Sequence, residues 1–135
     1  MLLSSACASS FRGGELQVEW ECADKSDAMV ENIVDWARSL VTTTDSDRVQ
    51  ARNNYGFAPM PADRVRIVTD PQACARAGRA YLADDRPAPG RHRVVLISVG
   101  DRYIALDLNQ MGRAGEFMTE AVLDREFRLL SWLMT

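Results

Sequence analysis

A single histidine, His92, and three cysteines, Cys7, Cys22 and Cys74, stand in the whole sequence. Every Ser-His-Asp or Cys-His mechanism would have to run through that one imidazole. It sits in the stretch RPAPGRH, which reads as a loop. As a general base His92 needs a partner and a cleft, and the plainer reading is an exposed loop residue. The cysteines have neither CxxC spacing nor a histidine cluster around them, so no zinc or redox motif is present. GxSxG, P-loop, HExxH and GxGxxG patterns are also missing. The sequence therefore assigns no catalytic residue, no metal ligand and no cofactor.

Basic charge is scarce too. One lysine, Lys25, joins fifteen arginines, and the formal net charge is −3. An acidic chain lacks the basic surface that nucleic-acid binding needs to release counterions. The densest basic stretch, Arg76, Arg79, Arg86, Arg91 and Arg93, is diluted by Asp84 and Asp85 and reads as a solvated face rather than an anion site. No run approaches the roughly 18 consecutive apolar residues of a membrane-spanning helix.

What is present is ordinary globular material: 135 residues, 47% hydrophobic and 26% charged, enough for one core. The organisation expected is a leader or tether over 1–14 and a single α+β domain over 15–135. The opening MLLSSACASS has the small residues that end a secretory signal without the charged and apolar parts that begin one. Its LSSAC resembles a bacterial lipobox with Cys7 as the lipid-bearing residue, although Ser4 stands where that motif has Leu. A plainly cleaved secreted protein and an ordinary flexible N-terminus are the alternatives. If Cys7 carries lipid, Cys22 and Cys74 are left to pair with each other; the alternative is two separately buried thiols.

Along the chain, ELQVEWEC alternates apolar and polar residues and reads as a short edge strand or an extended tether. Met29, Val30, Ile33, Val34, Ala37, Leu40 and Val41 form a stripe at helical spacing from about Asp24, with Asp24 or Ser26 as N-cap. A second, shorter helix is expected between Thr44 and Gly56. Val65 to Thr69 reads as a strand feeding a third helix, with Asp70 as N-cap, Pro71 in the first turn, and the small pair Ala77 and Gly78 permitting close packing. RVVLISVGDRYIALDL is a hairpin around Gly100-Asp101. Pairing 99 with 102 puts Val95, Ile97, Val99, Ile104, Leu106 and Leu108 on one face. EFMTEAVLD and FRLLSWLM read as two further strands, the last with helix as its alternative. Trp20, Trp36 and Trp132 read as packing residues.

The order α-α-β-α-β-β-β-β predicts an α+β fold with helices on one face of a curved antiparallel sheet, resembling the cystatin-like and NTF2-like architectures in outline. Within it, Tyr103 and Asp107, opposite the hairpin's apolar set, and Glu116 and Glu120, on one face of a strand with Asp124, are the candidates for a pocket rim. The solvent face is the simpler reading for the carboxylates.

The pieces VTDPxxCxxA, VGDRY and AGEF, spread over the last 70 or so residues, resemble a group of small exported bacterial proteins of unknown function. The resemblance implies export and a role for Cys74, and supplies no catalytic residues. The expectation is thus a non-enzymatic domain outside the cytoplasm, in the periplasm, tethered to the outer membrane or secreted, that binds a protein or small ligand in the cell envelope. A cytosolic interaction module and a small NTF2-like enzyme using pocket carboxylates are the alternatives.

Overall fold

The computed structural model describes residues 18–84, 89–110 and 119–134. Its elements run β1 (Val18–Cys22), α1 (Val30–Thr42), α2 (Ser46–Asn54), β2 (Val65–Val68), α3 (Pro71–Asp84), β3 (Gly90–Val99), β4 (Arg102–Asp107), β5 (Thr119–Leu123) and β6 (Leu129–Met134), with short 3-10 turns before β2 and after β4. The fold is α+β, and the elements from α1 onward follow the expected order. The stretch before α1 forms a strand, and the last segment is a strand rather than a helix.

The hairpin forms the centre of the sheet. Gly100, at φ 62°, takes the first central position of the two-residue turn, the place where a II′ turn needs glycine. Val99 pairs with Arg102, Ile97 with Ile104 and Val95 with Leu106, the register that the turn dictates. Beyond the hairpin the sheet runs β3-β4-β5-β6 antiparallel. On its other side β3 is long enough to take two strands end to end, β1 parallel along Gly90 to Val94 and β2 antiparallel along Leu96 to Val99, so the sheet is mixed and not antiparallel throughout as expected.

One expectation about layering does not hold: the helices are shared between both faces. Val95, Ile97, Val99, Ile104, Leu106 and Val122 pack with Val30, Ile33, Val34, Ala37, Leu40 and Val41 of α1. The alternate residues Val94, Leu96, Ala105, Ala121 and Leu123 pack with Cys74, Ala77 and Tyr81 of α3. The physical reason is visible in β3, where Val94 to Ile97 are all fully buried. A continuous apolar run needs cover on both sides.

Helix ends follow local chemistry, with two shifts from expectation. Asp45, not Thr44, caps α2, its carboxylate accepting from the amides of Asp47 at 3.1 Å and Arg48 at 3.3 Å. Helix α1 starts at Val30 without a side-chain cap, because the Asp24 carboxylate is taken up locally by Ser26. Its C-terminal end is served instead by Arg52, 6% exposed, which donates to the carbonyls of Leu40, Val41 and Thr43. Asp70 caps α3 as expected, accepting from the amide of Ala73 at 2.9 Å.

Helix α3 approaches β1 closely because Gly78 has no side chain. A Cβ built there would overlap the indole of Trp20. The Gly78→Ala variant is therefore expected to lose about 1–3 kcal/mol of stability through forced displacement of that ring. A lowered thermal midpoint together with altered tryptophan fluorescence checks this; an unchanged midpoint would mean the helix rides over the strand without strain.

Candidate functional site

His92 corrects its sequence reading most sharply. It lies on β3, two residues before the first buried apolar residue of that strand, and is 2% exposed. Its Nδ1 is 2.7 Å from Oδ2 of Asp107, itself 1% exposed at the end of β4. Asp107 pairs in register with Val94, so His92 is its diagonal neighbour across the strands. The other carboxylate oxygen of Asp107 accepts from the Asn109 amide at 2.9 Å, while Asn109 reaches back to the carbonyl of Arg91 at 3.1 Å. The group ties the start of β3 to the end of β4.

An aromatic cluster lies beside this pair on the α3 face. Trp20, in register with His92 on β1, has its ring 5.3 Å away, and Tyr81 packs against both Trp20 at 6.1 Å and Trp132 at 5.0 Å. An imidazole with 2% exposure and a carboxylate partner resembles half of a catalytic dyad in geometry. Its packing, however, is that of a buried polar link joining strands.

Of the four residues expected at a pocket rim, the three that are described do not share one face of the sheet. Tyr103 and Asp107 face α3, whereas Glu120 pairs with Leu133 and lies beside Val122's side of the sheet, the α1 face. Tyr103 stacks on Phe127 at 4.7 Å and 12°. Phe127 takes a positive φ of 63° in the β5–β6 turn, and the guanidinium of Arg76 covers its ring at 4.7 Å. The Asp124 carboxyl organises that turn. Hydrogen bonds from Arg128, its backbone amide first, hold it below the usual carboxylate range. Glu116 and Cys7 lie outside the described residues.

Glu120 is the unusual carboxylate. It is fully buried, and neither oxygen finds a hydrogen-bond donor among the described residues. Burial alone pushes its pKa from 4.5 to about 8. The folded chain thus holds a proton that the unfolded chain releases across that interval. The contribution of this one group to stability is full below about pH 4.5 and falls as pH rises toward 8, where the buried carboxyl ionises. Glu120→Gln removes the titration, and is expected to be more stable than the parent at pH 9 by about 1–3 kcal/mol. Parallel pH profiles for the two proteins would show that the carboxyl has found a charge partner.

Of the basic stretch, Arg93 bonds Asp27 at 3.0 Å and Arg91 lies 3.4 Å and 3.5 Å from Glu19 and Glu21. Arg76 donates to the Glu126 carbonyl at 3.2 Å as well as covering Phe127. These arginines hold elements together and do not converge on an anion site. Arg86 lies outside the described residues.

The cysteine pair does converge. Cys22 and Cys74 have their sulfurs at bonding distance and their Cα atoms 5.5 Å apart. Cys22 ends β1 opposite Val94, and β2 ends opposite Leu96, so the two half-strands meet head to head beside β3. Cys74 lies in the first turn of α3, where the chain leaves that junction. Among the described residues no group of three or more His, Cys, Asp or Glu side chains is placed to hold a metal ion, and no helix is long and apolar enough to cross a membrane. Comparison with known proteins gives no match to any family model, curated protein or solved structure.

Proposed function

We propose that the chain is a non-catalytic binding domain that works outside the cytoplasm, taking a protein or a small ligand at the cell envelope, with Cys7 as the candidate residue for a lipid anchor. The observation that supports it is the Cys22–Cys74 pair, placed to bond across 52 residues of sequence at the junction of β1, β2 and α3. Structural disulfides persist in oxidising compartments and are rare in a reducing cytosol. The low exposure of His92, Asp107 and Glu120, at 2%, 1% and 0%, supports binding over turnover.

The test is the intact mass of the native chain, unreduced, from fractionated cells. The expected result is recovery in the envelope fraction, with the Cys22–Cys74 peptides linked and lipid on Cys7. Recovery in the cytosol with Cys22 and Cys74 reduced would overturn the proposal.

A further inference from the structure

Strand β1 flanks the buried imidazole, and the cysteine bond sits in the same interface. Trp20 stands in register with His92, and its ring is 5.3 Å from the imidazole. Cys22 follows two residues later and therefore shares that face of the strand. On α3, Cys74 and Gly78 are one turn apart and likewise share a face. Gly78 is where the indole of Trp20 comes closest to the helix, and Cys74 is where the sulfur of Cys22 does. The two contacts are adjacent rungs between β1 and α3, so the bond clamps the helix onto the strand that carries Trp20.

Apart from that clamp, β1 is lightly held. It ends the strand order and has five residues in a parallel ladder, a pairing slightly weaker per residue than the antiparallel one. Its ion contacts with Arg91, at 3.4 Å and 3.5 Å, are exposed and add little. The indole Nε1 of Trp20 is buried and donates to nothing among the described residues, a cost that the ring sheds on reaching water. Just past the strand the chain is fastened again: the Ala23 amide donates to the Val94 carbonyl at 2.8 Å, and Arg93 bonds Asp27 at 3.0 Å. Opening can thus be confined to β1.

We propose that the Cys22–Cys74 bond is a redox latch on β1: oxidised, it clamps Trp20 beside His92 and keeps the His92–Asp107 pair buried; reduced by a dithiol, it lets β1 part from α3 and brings the imidazole to solvent. Cys22 is half-buried and Cys74 fully buried, so the incoming thiolate attacks Sγ of Cys22 and Cys74 leaves as a thiolate. The second sulfur of the dithiol then displaces Cys22. Two electrons and two protons pass to the chain, which ends with two thiols, and the reductant ends as its own disulfide. The latch goes beyond the binding reading and shares with it only the oxidised cysteine pair.

The single histidine makes the test direct. In the purified full chain carrying Cys7→Ser, only Cys22 and Cys74 can exchange. Oxidised and dithiol-reduced forms, freed of reductant, are treated with diethyl pyrocarbonate, and modification of His92 is timed by peptide mass. Amide exchange at Ile104 to Leu106 of β4 is followed in parallel, and each rate is divided by that of the unprotected group to give an open fraction. In the reduced chain the open fraction at His92 is expected to exceed that of β4 by about tenfold or more, and that at His92 in the oxidised chain by at least as much. Cys22→Ala/Cys74→Ala should match the reduced chain with or without dithiol. Trp20→Ala should raise the open fraction at His92 while the bond is intact. Equal fractions at His92 in the two redox forms overturn the proposal, as do equal fractions at His92 and β4 in the reduced chain, which mean that the whole domain unfolds. A slow His92 in oxidised Trp20→Ala, or a chain that keeps both thiols after oxidation, overturns it too. The measurement does not depend on compartment, so native protein recovered from the cytosol would end the extracytoplasmic reading, whereas a closed His92 in the reduced chain would end the latch alone.

Discussion

Reduction of the Cys22–Cys74 bond is expected to lower the unfolding free energy by about 4 kcal/mol, the loop-closure entropy of a cross-link spanning 52 residues. For a domain of this size that corresponds to a fall of roughly 10–20 °C in thermal midpoint. The Cys22→Ala/Cys74→Ala double variant is expected to unfold near the midpoint of the reduced parent and to ignore reductant. The loss should be uneven across the fold. Strand β1 has five residues and, among the described residues, pairs with β3 alone, in parallel, so apart from the cross-link it is held by that ladder, by the exposed contacts of Arg91 with Glu19 and Glu21, and by Trp20 packing on α3. Amide exchange at Val18 to Cys22 should therefore accelerate before that of β4. Equal midpoints with and without reductant would show that the two sulfurs are not bonded in the native protein.

Asp107→Ala is expected to cost about 3 kcal/mol, because it removes the carboxylate from a buried imidazole and the acceptor from the Asn109 amide at once. Asp107→Asn keeps the volume and one acceptor oxygen, and should lose about 1 kcal/mol. The decisive measurement is a double-variant cycle with His92→Ala. Two groups 2.7 Å apart in a site with 2% and 1% exposure should show a coupling of about 1–3 kcal/mol. Independent, additive losses would mean that each side chain is held by its other neighbours and that the link between β3 and β4 does not depend on the pair.

These two links explain why the molecule can hold a sheet whose β3 edge is divided between two short strands. Neither β1, with five residues, nor β2, with four, covers β3 alone. The cysteine bond fastens the junction where they meet, and His92–Asp107 fastens the far end of β3 to β4.

Local chemistry was legible in the residues themselves. The stripe from Val30 to Val41, the Asp70-Pro71 start of α3 and the Gly100-Asp101 turn each specify structure through neighbours a few residues away, and the hairpin register followed directly from the turn. The division of the helices between two faces was also written in the run Val94 to Ile97, but reading Tyr103 and Asp107 as the outward set concealed it. Nothing local distinguishes His92 in an Arg-rich stretch from a solvated loop residue. Its burial depends on Asp107, fifteen positions later, arriving one diagonal step away across the sheet. The same holds for Glu120: only its burial in the assembled sheet turns a carboxylate of alternating pattern into one shielded from solvent and without a hydrogen-bond donor among the described residues. Sequence by itself determined the helices, the hairpin and the pairing candidates among the cysteines, because those depend on short-range periodicity and turn geometry. Tertiary structure alone decided which polar groups are buried, because burial is set by segments distant in the chain.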